Sequence, residues 1–199
     1  MKSVLPVMKE NRELFEGKTI LEIGTGSGII GIYAAKLGAA KVVATDINKT
    51  AITCANQNAQ ALGVSSIIET RLVPPTDISA YSVIAPNESF DVVISNPPYS
   101  LDLGARENTA VVDRGELGFS ILRGLDTHMK SSGVTILLYR SFFYHHVMVK
   151  FAKHLGYQVR NQSAIYLDSF EAEALFNFYL IRLLEHELIA SNAFRFVNI

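Results

Sequence analysis

The chain has 199 residues, of which 49% are hydrophobic, and a formal net charge of −1 at pH 7, so it can bury the core of one large domain but carries no global basic field for nucleic acid. Its single cysteine, Cys54, excludes an internal disulfide framework and a zinc site built from cysteines. No apolar run reaches the roughly 18–20 residues of a membrane span, and residues 1–16 lack the pattern of a signal peptide, so we expect a cytoplasmic protein.

The predicted strands and helices alternate along the chain, and this order is typical of a parallel sheet covered by helices on both faces. A short amphipathic helix is expected over residues 8–15. In the residues that follow, continuous apolar runs predict strands, and apolar residues at helical spacing predict the helices between them. They are a strand at 18–23, a helix ending near 37, a strand at 41–46, a helix from Asn48 to Leu62, and strands at 66–73 and 90–95.

The second half of the chain continues this pattern. Residues 117–129 repeat apolar side chains at i+4 spacing, which predicts a helix, and residues 133–139 form an apolar strand. Strands are also predicted at 157–167 and 175–184. Another helix begins at Ser141, and its side chains predicted to face inward are Phe143, Val147, Phe151 and Leu155.

We predict a single domain over residues 1–199, because no linker, repeat or low-complexity tract divides the chain. A short segment at 1–17 precedes the first strand, and residues 185–199 form a C-terminal tail. The polar stretch at 100–114 has no helical or strand period, and we expect it to be irregular.

The stretch Phe90–Tyr99, FDVVISNPPY, is an apolar strand that ends abruptly. Pro97 and Pro98 cannot donate to a sheet, so the strand ends before them and Asn96 lies at the carboxyl edge, where ligands bind in open α/β sheets. The Asn96 side-chain oxygen and the Pro97 carbonyl could accept both N–H groups of a planar amine, while the Tyr99 ring stacks on it. The alternative is an ordinary turn, in which Asn and Pro are common.

A glycine-rich loop follows the first strand, with glycines at positions 24, 26 and 28. Glycines there let the backbone turn tightly and approach a ligand closely. An acidic residue, Asp46, ends the next strand, where it can accept hydrogen bonds from the ribose hydroxyls of a nucleoside. Gly26, Gly28 and Gly31 also satisfy the dinucleotide pattern GxGxxG, so the loop alone indicates a nucleoside-type cofactor without choosing which one.

Leu21-Glu22-Ile23-Gly24-Thr25-Gly26-Ser27-Gly28, followed by Asp46 and then by the NPPY of residues 96–99, resembles the class I S-adenosylmethionine-dependent methyltransferases. It is most similar to the group that methylates planar –NH2 nitrogens, and the resemblance covers roughly residues 18–185. The fold implied is a three-layer αβα, Rossmann-like arrangement with a seven-stranded, mostly parallel sheet whose last strand is antiparallel.

The resemblance also implies roles for individual residues. Glu22, Gly24, Gly26 and Gly28 would line the methionine and ribose parts of S-adenosylmethionine, with Asp46 on the ribose hydroxyls and Asp77 near the adenine amine. Asn96, which also borders the cofactor, would hold the acceptor nitrogen together with Pro97 and Tyr99. The sulfonium carbon is already activated, so alignment is the main task, and no metal and no general base are expected.

The segment at 113–118 (DRGELG) is similar to one found in the glutamine-N5 methyltransferases of peptide-chain release factors, which indicates a protein glutamine as acceptor. Arg114 departs from that pattern, and the short N-terminal segment implies that a partner subunit helps to dock the substrate. Methyltransferases of adenine N6 or guanine N2 in RNA or DNA carry the same NPPY and form the alternative. A NAD-dependent oxidoreductase and a catalytically silent binding subunit are further alternatives.

Overall fold

The computed structural model describes residues 4–77, 79–97, 116–140, 144–165 and 176–183. A short 3-10 turn, Arg12–Leu14, follows the first helix. The α-helices of the described residues are α1 (Val4–Glu10), α2 (Ile29–Lys36), α3 (Lys49–Ala61), α4 (Glu116–His128) and α5 (Tyr144–His154). The strands are β1 (Thr19–Ile23), β2 (Lys41–Asp46), β3 (Ile68–Leu72), β4 (Phe90–Ser95), β5 (Met129–Arg140), β6 (Tyr157–Ile165) and β7 (Phe176–Leu183).

The strands form one sheet in the order β3-β2-β1-β4-β5-β7-β6. The pairs among β1 to β5 are parallel, whereas β7 runs antiparallel to both β5 and β6. The strand order reverses between β1 and β4, and this switch point is the place where open α/β sheets bind ligands at their carboxyl edge. The predicted α/β class with a Rossmann-like parallel sheet is confirmed.

Helices cover both faces of the sheet, so the fold has three layers. Val92 and Ile94 on β4 pack into one apolar cluster with side chains of α1, α2 and α3. Val93, between them, packs into a second cluster with side chains of α4 and α5. Since successive side chains of a strand point to opposite faces, β4 is buried on both sides, as its continuous apolar run predicted.

The position predicted for the first helix is wrong. The sequence favoured residues 8–15, but α1 ends at Glu10 and the chain then forms the 3-10 turn. Val4 and Met8, four residues apart, are both fully buried and give α1 its core-facing side. Phe15 is fully buried as well, but it follows the turn instead of lying on the helix.

The inward face predicted for α5 is also wrong in part. Val147 is 50% exposed and Leu155 is 37% exposed, whereas Met148 and Ala152 are buried. The buried row of α5 begins at Met148, one position after Val147, and continues four residues later at Ala152. The predicted row is therefore displaced by one residue from the helix face that packs against the sheet. Phe151, half-buried, packs its ring edge-on against Phe119 of α4.

Candidate functional site

Three strands bring the predicted site residues to one edge of the sheet. In the register of the sheet, Ile23 at the end of β1 lies between Thr45 on β2 and Ser95 on β4. The next residue along each strand is therefore Gly24, Asp46 or Asn96, so the structure brings these three to the carboxyl edge at the switch point.

The glycine loop is fixed by backbone hydrogen bonds to β2. The amides of Gly24 and Thr25 both donate to the Thr45 carbonyl, at 2.8 and 2.9 Å. Gly28 has φ of 81°, and a Cβ there would lie 3.0 Å from the Ala55 Cβ on α3, so both its conformation and its surroundings require glycine. The loop therefore lies tightly against α3, with the N-terminus of α2 directly after it.

Asp46 is held in one orientation by two backbone donors. The Gly26 amide donates to its Oδ2 and the Asn48 amide donates to its Oδ1, both at 2.8 Å. An ionised carboxylate has about four acceptor positions, so both oxygens retain capacity for ligand hydroxyls. Asn48 also caps α3, because its side chain accepts from the Thr50 amide at 2.9 Å, which confirms the predicted N-cap.

Glu22 points into the protein beneath the loop and is 1% exposed. Its Oε2 accepts hydrogen bonds from the Thr25 hydroxyl at 2.7 Å and from the Gly31 amide at 3.0 Å. Burial raises the pKa of Glu22 to about 7, the nearby Asp46 charge adds to the increase, and the two hydrogen bonds oppose it. The predicted contact of Glu22 with the cofactor stays a prediction, and Thr25 and Gly31 are the partners that the sequence pattern did not reveal.

The corner after β4 follows Ser95, whose side chain fixes the end of the strand. The Ser95 hydroxyl is completely buried and donates to the Ile23 carbonyl at 2.8 Å, which fastens the end of β4 to β1. Asn96 is half-buried and Pro97 is buried. Tyr99 lies outside the described residues, so the two-acceptor grip on a nitrogen stays a prediction.

Asp77 lies in the connection between β3 and β4, exposed, with its amide donating to the Pro74 carbonyl at 3.0 Å. Its predicted position near an adenine amine stays a prediction.

A half-buried ion pair between Arg71 and Glu88 attaches the later part of that connection to β3. Arg71 on β3 donates to both carboxylate oxygens of Glu88, at 2.6 and 2.7 Å, and to the Val83 carbonyl at 2.9 Å. Hydrogen bonds from Arg71 lower the pKa of Glu88 to about 2. Sequence reasoning missed this pair, because no spacing rule links a strand residue to a loop residue 17 positions away.

The same connection is attached to α4 on its other side. The Tyr81 hydroxyl donates to the Ile121 carbonyl at 2.9 Å, and its ring stacks on His128 with centroids 4.6 Å apart. Gly124 leaves room for that ring, which a Cβ there would overlap. The His128 Nδ1 lies 3.0 Å from the Glu88 carbonyl oxygen. The connection is therefore braced between β3 and α4.

The described residues contain neither a candidate metal cluster nor a membrane-spanning helix. None of their His, Cys, Asp and Glu side chains form a group of three or more that could hold a metal ion. None of their helices is long and apolar enough to cross a membrane.

The first half of the chain is similar in sequence to known methyltransferases. Residues 5–97 match the family model of the ribosomal protein L11 methyltransferase, PrmA. The L11 methyltransferase of Pectobacterium carotovorum is 49% identical over 72 residues, which are 35% of this chain and 24% of that protein. The release factor glutamine methyltransferase of Chlorobaculum tepidum is 42% identical over 85 residues, 42% of this chain and 28% of that protein. The matched part thus spans about a quarter of the length of these curated relatives.

The fold extends beyond the matched sequence. The crystal structure of the ribosomal protein L11 methylase from Lactobacillus delbrueckii subsp. bulgaricus superposes with a TM-score of 0.66 at 22% identity, covering 90% of this chain and 78% of that chain. The fold of the chain is therefore that of this methylase, and residues 5–97 are similar in sequence to methyltransferases. The part matched by the L11 methyltransferase family model, residues 5–97, carries the loop and Asp46.

Proposed function

We propose that this chain is an S-adenosylmethionine-dependent N-methyltransferase acting on a planar amide nitrogen of a protein, namely a glutamine side chain. One observation carries the proposal: the glycine loop, the oriented Asp46 carboxylate and the Asn96-Pro97 corner meet at one sheet edge. A cofactor-binding loop and a nitrogen-binding corner side by side are what transfer of a methyl group to nitrogen requires.

The residues beside Asp46 support a nucleoside as the ligand. Ile47 directly follows it, and Leu72 is its neighbour in the register of β2 and β3. Both residues are 44% exposed, so each offers apolar surface beside Asp46. A flat adenine ring lying on this apolar surface would let both ribose hydroxyls reach the remaining acceptor positions of Asp46.

The main task of the protein in this reaction is to align the acceptor nitrogen with the methyl group of the cofactor. S-adenosylmethionine supplies a methyl group that is already activated by its sulfonium. Asn96 and the Pro97 carbonyl would accept the two N–H groups of the acceptor amide and direct its nitrogen lone pair toward the loop. These acceptors gain strength as the nitrogen becomes tetrahedral and its N–H groups more acidic, so they favour the transition state. A proton lost after transfer requires no dedicated base.

A protein acceptor agrees with three observations. The matched relatives are named for a ribosomal protein and for a release factor, both of which are proteins. The segment at 113–118 is similar to that of the glutamine enzymes. The net charge of −1 lacks the basic excess from which nucleic-acid binders draw most of their affinity. We also propose that a partner subunit contributes to substrate docking.

Calorimetry with S-adenosylmethionine, S-adenosylhomocysteine and NAD tests the cofactor. The wild-type chain is expected to bind the first two, and Asp46→Ala is expected to weaken both by about 1–3 kcal/mol through lost charge-assisted hydrogen bonds. Glu10→Gln, which removes an exposed negative charge on α1, serves as the matched control and should bind like wild type. NAD binding without any response to the sulfonium compound would replace the proposal with an oxidoreductase.

Transfer of labelled methyl into a lysate tests the acceptor. The lysate is divided into nuclease-treated and protease-treated halves after the reaction. Label that survives nuclease, disappears with protease and is recovered as methylglutamine supports the proposal. Label recovered as N6-methyladenine or N2-methylguanine would assign a nucleic-acid substrate, and cofactor binding with no transfer to any fraction would favour a silent binding subunit.

A further inference from the structure

Glu22 lies between the glycine loop and the first turn of α2, where its carboxylate is almost completely buried. Its two hydrogen-bond donors are Thr25, inside the loop, and Gly31, in the helix that follows. A Cβ on Gly31 would lie 2.5 Å from Oε2, so the helix can approach this carboxylate only because residue 31 is glycine. The third glycine of the GxGxxG pattern is therefore required by the close approach of α2 to Glu22.

The charges around Glu22 do not compensate for its burial. Within the described residues its carboxylate takes part in no ion pair, and Asp46 at the end of β2 adds a second negative charge. The one charged residue of α2, Lys36, is in the last turn, and that of α3, Lys49, is at its exposed start. Asp91 of β4 is paired with Lys130 of β5 at the opposite end of the sheet.

The contacts of Glu22 enclose the part of the loop that a cofactor would touch. Thr25 precedes and Gly31 follows the turn of residues 26–28, and within that turn the Gly26 amide donates to Asp46. Both donors bind the same oxygen of Glu22, and donors of this kind bind an ionised carboxylate about twice as strongly as a neutral one. The shape of the loop is thus tied to the charge on one buried group.

We propose that Glu22 is a positioning residue for the cofactor, and that loss of its proton tightens the glycine loop and raises cofactor affinity. This rests on the proposed function, because the affinity concerned is that for S-adenosylmethionine. Burial places the pKa of Glu22 at about 7, so the change falls within the ordinary working range of pH. Binding would then release a proton near neutral pH.

The first test measures affinity for S-adenosylmethionine and S-adenosylhomocysteine between pH 6 and 8 in wild type and Glu22→Gln. The glutamine keeps an acceptor oxygen for Thr25 and Gly31 but cannot titrate. Wild-type affinity for both compounds is expected to rise about five-fold over this range, which corresponds to one pKa unit of coupling, while the Glu22→Gln profile stays flatter by that factor. Glu10→Gln is the charge control and should follow wild type.

Two outcomes would overturn the proposal. If wild type and Glu22→Gln show the same pH profile, Glu22 does not couple its proton to binding. If the profiles differ for S-adenosylmethionine but coincide for S-adenosylhomocysteine, which lacks the sulfonium charge, Glu22 acts through its electric field and does not position the loop.

A second test needs neither ligand nor activity. In the ligand-free protein, the backbone 15N–1H resonances of Gly26 and Gly31 are followed from pH 6 to 8. They should titrate together in wild type, and resonances that do not move would refute the proposal even if Glu22→Gln fails to fold. If the chain binds no S-adenosylmethionine at any pH, the proposed function fails, whereas the amide titration still reports on Glu22.

Discussion

The contact between Gly31 and Glu22 predicts that a substitution expected to stabilise most helices destabilises this one. Replacing Gly by Ala inside a helix ordinarily gains about 1 kcal/mol. At position 31, however, the new Cβ would lie 2.5 Å from the Glu22 Oε2 and 3.1 Å from the Val42 Cγ1. Gly31→Ala is therefore expected to lower the free energy of unfolding despite its better propensity.

The magnitude follows from how little these neighbours can move. Val42 is 0% exposed and Glu22 is 1% exposed, so neither side chain can turn into solvent to make room. Overpacking a site of this kind costs typically about 1–3 kcal/mol, and a shift of the carboxylate also weakens its bond from Thr25. With the propensity gain of about 1 kcal/mol subtracted, we expect Gly31→Ala to cost up to about 2 kcal/mol.

A double-mutant cycle measured by urea unfolding isolates this contact. In a Glu22→Ala background the carboxylate is absent, so Gly31→Ala should become neutral or stabilising, with a coupling of about 1–3 kcal/mol. The comparison is made at pH 8, where Glu22 is ionised in wild type. A Gly31→Ala protein with a higher urea midpoint than wild type, or a cycle that closes additively, would refute the reasoning.

Other predictions concern the corner and the Arg71 ion pair. Asn96→Ala should leave the affinity for S-adenosylmethionine within a few-fold, by calorimetry, while methyl transfer falls about 10²-fold or more; full turnover would remove the two-acceptor grip. Tyr99→Ala should mainly raise the acceptor KM and Tyr99→Phe should be mild, since stacking needs the ring and not the hydroxyl; equal effects would contradict this. Glu88, whose pKa is lowered to about 2, stabilises the fold above pH 4.5 and loses this effect as pH falls toward 2. The full shift corresponds to about 3 kcal/mol, but the side chain is 27% exposed, so Glu88→Gln should cost about 1 kcal/mol at pH 7 and much less at pH 2.5 in urea unfolding.

Segments with a clear sequence pattern could be predicted, because a single local effect, such as burial of an apolar run or capping of a helix, determines their structure. The apolar run of β4 is buried on both faces, and Asn48 caps α3 as its position suggested. The meeting of Gly24, Asp46 and Asn96 at one edge also followed from parallel strands, whose carboxyl ends lie together. Local patterns and parallel topology were sufficient for these features.

Other features depend on contacts that sequence spacing does not encode. The choice between Val147 and Met148 as the buried residue of α5 is a rotation of about 100° about the helix axis, which packing against the sheet decides. The inward position of the Glu22 carboxylate depends on how closely α2 approaches β1, and Gly31 reveals this only once the helix is placed. The bond between Arg71 and Glu88 joins residues with no common period.

The connection between β3 and β4 has the backbone of a loop, but its anchors link it to two separate elements. Arg71 holds Glu88 from the edge strand, while Tyr81 and His128 hold the same segment from α4. Amide hydrogens of residues 80–84 should therefore exchange at rates close to those of the anchoring helix, because opening the segment requires that both anchors release together. A truncation or insertion in this connection should therefore disturb the packing of α4 as well as β3.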